Sequence, residues 1–124
     1  MLLVGHDPAA PDVPFSQLAT ERTYELYRER TAAFEQLLQQ HFDSVRVVYA
    51  AQYQVDMSST VDVTLFDAQP APLVAAAEPR DPQTGVRTYQ PPRYLPMDFD
   101  RPALMVAENS PRMGEALGVK HDWL

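Results

Sequence analysis

A chain of 124 residues with 45% hydrophobic content is long enough for one globular domain that buries about two thirds of its unfolded surface. Its net charge of −7, with ten Lys and Arg residues scattered along the chain, opposes a phosphate backbone and argues against a nucleic-acid partner. The absence of cysteine excludes disulfides, thiolate metal sites and a cysteine nucleophile from this chain.

Met1 to Val4 is a short apolar run closed by Gly5, as expected of a strand buried on both faces. The start MLLVGHDP has no basic region ahead of its apolar run, so it does not read as a signal peptide. No segment approaches the roughly 18 apolar residues of a membrane span. A soluble, cytoplasmic protein with no membrane partner is therefore expected. Three prolines in residues 8–14 forbid a helix there.

From about Leu18 to Phe42 the period becomes helical. Leu26, Tyr27, Ala33, Phe34, Leu37 and Leu38 form one apolar stripe, and Glu25, Arg28, Glu29, Glu35, Gln36 and Gln39 take the other side. Thr20 and Glu21 suit its N-cap and first turn. Val45–Ala51 and Val61–Phe66 are β-branched or aromatic and predict two further strands. Ala103–Ala107 predicts a fourth. Ser110-Pro111 then reads as the start of a short helix over residues 111–117, stopped by Gly118.

Residues 68–102 are a proline-rich insertion between the third and fourth strands, and eight of the twelve prolines fall there. Leu73–Ala77 and Val86–Tyr89 are placed to pair as a hairpin around Asp81–Gly85; the alternative is an unstructured excursion. Apolar strands alternating with a long helix predict a mainly parallel sheet with helices packed on it.

Three segments carry a resemblance: LLVGHD, VDVTLFDAQPAPL and RYLPMDFDRPALMVAENSPRMGEALGVKHDWL. Together they resemble the N-terminal part of class I glutamine amidotransferase-like proteins, including the trehalose-utilisation-like branch. The resemblance implies a flavodoxin-like three-layer α/β domain over residues 1–124, with its sheet incomplete at the C-terminus. Active members of that superfamily use a cysteine on a strand-to-helix turn and a downstream histidine. This chain lacks the cysteine and ends at Trp123-Leu124, so thiolate-based glutamine hydrolysis is not expected of it alone.

In an open parallel sheet, ligands collect at the carboxyl ends of the strands. That rule gathers His6 and Asp7, Gln52 and Tyr53, Asp67, and Glu108, Asn109 and Ser110 as candidate ligand-binding residues. His6 beside Asp7 could serve as a general base or a metal ligand, because the acid would hold the ring and favour its charged form; the plainer reading is a turn begun by Asp7-Pro8 with His6 capping the strand end. Asp67, sharing a strand with Asp62, would donate a proton if the two acids were buried together. More simply, it bonds loop N–H groups. Ser110 lacks the G-x-S-x-G surroundings of a nucleophile and reads as an N-cap, and Glu108 and Asn109 stand at the same helix start. His41, Lys120, His121 and Asp122 have no metal-binding spacing, so neither metal nor cofactor is expected. Tyr24 and Tyr27 read as core or rim residues and not as a stacking platform.

Three functions follow from these residues. The first is an amidotransferase-like domain binding a small polar ligand, or hydrolysing one without a thiol, at the strand ends. The second is a non-catalytic assembly module that self-associates, or joins a partner chain, through an exposed sheet edge. The third is a receiver-like domain with Asp67 as phospho-acceptor and Asp7 as its metal-holding acid.

Overall fold

A computed structural model describes residues 1–7 and 21–106. The expected Thr20 cap, the helix over 111–117 and the candidates Glu108, Asn109 and Ser110 lie outside the described residues.

Four short strands form the sheet: β1 (Leu2–Gly5), β2 (Arg46–Tyr49), β3 (Thr64–Phe66) and β4 (Ala103–Met105). Their order is β2-β1-β3-β4 and every pairing is parallel, an α/β arrangement with the strand order of flavodoxin-like sheets. β1 is central, with Leu2, Leu3 and Val4 inaccessible to solvent, which explains its unbroken apolar run.

The alternation of side chains divides the core in two. Leu3 and Leu65 face the long helix α1 (Glu21–Leu38) and pack with Met1, Phe34 and Leu38. Leu2, Val4, Val48 and Phe66 face the other way, onto Tyr53, Tyr94 and Leu95. A 3-10 segment at Val55–Thr60 also packs there through Val55 and Met57. From β1 the chain crosses to β2 by α1, then returns past β1 to β3 by the 3-10 segment. Reversing direction while switching faces is what a common crossover hand requires.

The packed face of α1 differs from the sequence expectation. Leu26 and Leu37 are about half exposed and Ala33 is exposed, whereas Thr31 is buried. The inward row is Tyr27, Thr31, Phe34 and Leu38. Its cause is close approach at Gly5, where a Cβ would lie 2.7 Å from the Thr31 Cγ2. A larger residue at position 31 would hold the helix off the sheet.

The proline-rich insertion contains a hairpin. Antiparallel bridges join Val74 to Arg93, Ala77 to Gln90 and Arg80 to Arg87, so the pairing runs beyond the expected Tyr89. Gly85, at φ 71°, donates to the Asp81 carbonyl and closes the turn. No helix among the described residues is long and apolar enough to cross a membrane.

Candidate functional site

β1 and β3 are neighbours in a register that pairs Val4 with Phe66. Their next residues therefore emerge together at the carboxyl end of the sheet. This is also the switch point, because the chain leaves β1 towards β2 on one side and reaches β3 on the other. His6 and Asp67 meet there, with the His6 Nε2 3.9 Å from the Asp67 Oδ2.

Asp67 continues the face of Leu65, towards α1, and is fully buried. A buried carboxylate needs a cation or several donors. Arg30 supplies the cation from α1: its Nε lies 2.9 and 2.8 Å from the two carboxylate oxygens, and its Nη2 lies 2.6 Å from Oδ1. The pair in turn raises the Arg30 pKa, chiefly through these hydrogen bonds. The guanidinium carbon lies 5.2 Å from the centre of the Phe34 ring, which holds its apolar side. Asp62 is not its partner. That acid lies at the opposite end of the sheet, lining a groove of about 200 Å³ with Met1, His41, Phe42, Asp43 and Ser44. Asp67 is thus neither half of an acid pair with Asp62 nor free to offer a carboxylate oxygen.

The His6 ring stacks on Tyr27, with centroids 4.3 Å apart and planes within 8°. Tyr24 meets Tyr27 edge-on at 6.0 Å. Tyr27 is therefore a rim residue that stacks after all, within the chain. Burial lowers the His6 pKa below its ordinary 6.5; the Asp67 carboxylate opposes this, and Arg30 adds to it. Burial thus outweighs the neighbouring carboxylate and favours the neutral ring. A neutral ring offers one donor and one acceptor.

Asp7 does not hold that ring. Its Oδ1 accepts the Ala51 N–H at 3.3 Å, tying the end of β1 to the end of β2. The carboxylate beside His6 is Asp67, from a different strand. Tyr53 also leaves the candidate list. It is buried on the opposite face, edge-on to Phe66, with its hydroxyl 2.7 Å from the Ser58 Oγ. The Thr64 hydroxyl donates to the same Ser58 oxygen at 2.9 Å, so these buried polar groups satisfy one another. Gln52 is exposed.

Sequence reasoning missed Arg30 as part of the site. The available signal was its spacing, three residues after Tyr27 and four before Phe34 on one side of α1. Among the described residues no group of three or more His, Asp or Glu could hold a metal ion. No family model, curated protein or solved structure matches the chain. The chemistry of the rim rests on its own geometry: a neutral imidazole on a tyrosine face, beside an arginine fixed by a buried carboxylate.

Proposed function

We propose that the chain is an amidotransferase-like α/β domain without thiol chemistry that binds a small polar ligand at the β1–β3 rim. The observation supporting this reading is the convergence of His6, Tyr27, Arg30 and Asp67 at the switch point of the sheet. Asp67 fixes one edge of the guanidinium, while the Arg30 Nη1 takes no part in that pair and the side chain is 42% exposed. A ligand oxygen can therefore accept from Nη1 while a second polar group meets the neutral His6 ring. Tyr27 supplies an apolar flank. A reducing cytoplasm suits a chain without cysteine.

The phospho-acceptor reading is less well supported. A phosphorylated aspartate must present a carboxylate oxygen to its donor, and both oxygens of buried Asp67 engage Arg30.

L-glutamine, L-glutamate and trehalose are suitable probes, since the family resemblance and the polar rim both point to such ligands. At millimolar concentration at least one should raise the melting temperature, because a ligand bound only to the folded state stabilises it. Replacing His6 by alanine should abolish that rise. An unchanged rise in the His6 variant, or none with any probe in the native protein, would count against the site.

A further inference from the structure

Hairpins need support. A two-stranded hairpin without a third strand or a covering layer is only marginally stable in water. Residues 77–90 nevertheless pair while almost wholly exposed, with Val86 and Tyr89 59% and 60% accessible. Their backbone bonds define which edge is open. Ala77 and Gln90 exchange bonds in both directions, Thr88 donates to Pro79, and Asp81 donates to Val86. Residues 77, 79 and 81 thus turn their backbone groups inward, and alternation turns those of Glu78 and Arg80 outward. Neither has a backbone partner among the described residues.

We propose that this edge, residues 77–81, pairs antiparallel with the same edge of a second copy of the chain. A two-fold axis through Pro79 sets Glu78 of each copy opposite Arg80 of the other, so opposite charges face each other twice. Backbone bonds form at these same pairs, where both residues carry an N–H. Pro79 does not interrupt them, because its missing N–H is on the inner side, facing Thr88. Both side chains now make exposed contacts within their own hairpin, the Glu78 carboxylate 3.8 Å from Arg87 and the Arg80 Nε donating to the Gly85 carbonyl at 3.0 Å, and pairing with a second copy trades these solvent-screened contacts for facing charge pairs. The opposite edge is less suited. It turns Arg87 and Tyr89 outward, offers no acid to match Arg87, and runs into Pro91 and Pro92. The result is a small four-stranded sheet joining two domains. The contact is narrow, so the dimer is reversible and depends on concentration. It is independent of ligand binding at the β1–β3 rim.

Sedimentation of the full chain from micromolar to millimolar concentration tests this. The native protein should pass from monomer to dimer. Glu78→Arg should weaken the dimer by about tenfold or more, because it replaces both attractive pairs by repulsive ones. Arg80→Glu should do the same. Two rescues separate this pairing from simple damage to the hairpin. The double variant Glu78→Arg/Arg80→Glu regains self-complementarity and should dimerise again. The two single variants, each monomeric alone, should form a mixed dimer together. A native protein monomeric throughout, a dimer indifferent to Glu78→Arg, or single variants that neither mix nor recover in the double variant would overturn the proposal. So would binding to some other protein with no self-association.

Discussion

The β1–β3 rim and the hairpin of residues 77–90 each contain an aspartate that organises its surroundings, and they do so by opposite means. Asp67 is fully buried and is matched by Arg30, 37 residues away. Asp81 is exposed and is matched locally: its Oδ1 accepts the N–H groups of Gln83 and Thr84 at 2.7 and 3.3 Å. Those bonds hold its pKa below the ordinary carboxylate value. The rim therefore exists only once the sheet and α1 have assembled. The hairpin turn carries its own instructions within a few residues. Burial fixes the first region, and local hydrogen bonding fixes the second.

That contrast can be broken most easily with two aromatic side chains. Phe66 is 1% exposed in the core on the sheet face away from α1, and Tyr89 is 60% exposed on the hairpin. Phe66→Ala should cost about 3–5 kcal/mol in chemical denaturation. Tyr89→Ala should stay within about 0.5 kcal/mol in dilute solution. Comparable losses would show that the hairpin is part of the core.

A smaller effect is expected at the ion pair. Arg30→Met removes the cation from a fully buried carboxylate and should destabilise the fold by about 2–3 kcal/mol, below the usual cost for a wholly buried pair because Arg30 is 42% exposed. No loss in urea denaturation would mean that Asp67 does not depend on Arg30. Smaller still is Gly85→Ala, which forces a Cβ into a left-handed backbone and should cost about 1 kcal/mol. The loss should be local. Hydrogen exchange should quicken at Ala77, Thr88 and Gln90, while amides of β1 keep their protection.

The sheet was legible in the sequence because buried strands favour apolar and β-branched runs, and LLV and TLF supply them. Its parallel order followed from the long helix between the first two runs. The orientation of α1 was not legible from hydrophobicity. Leucine at 26 and 37 outweighs threonine at 31 on any such scale, yet contact with Gly5 requires a small residue. Of the candidate site, His6 and Asp67 were found from topology, since both follow strands that become neighbours. Their chemistry was misread because sequence adjacency suggested Asp7 as the partner of His6, whereas Asp7 reaches the Ala51 N–H. Arg30 is invisible to local reading: its partner is distant, and only folding brings the two together. The hairpin turn was legible from Asp81 and Gly85, but its full pairing to Arg93 was obscured by prolines on both strands.

The shared rim is tested most directly by NMR titration of the His6 imidazole. In the native protein it should titrate below 6.5, because burial favours the neutral ring. Between the unfolded value and this lower folded one, the unfolded chain binds more protons, so the His6 contribution to stability is lost as pH falls. Asp67→Asn removes the charge that raises the pKa and should move it further down. Arg30→Met removes a charge that lowers it and should move it up. Shifts in opposite directions would place all three groups on one rim; titration at the ordinary 6.5 in all three proteins would contradict it.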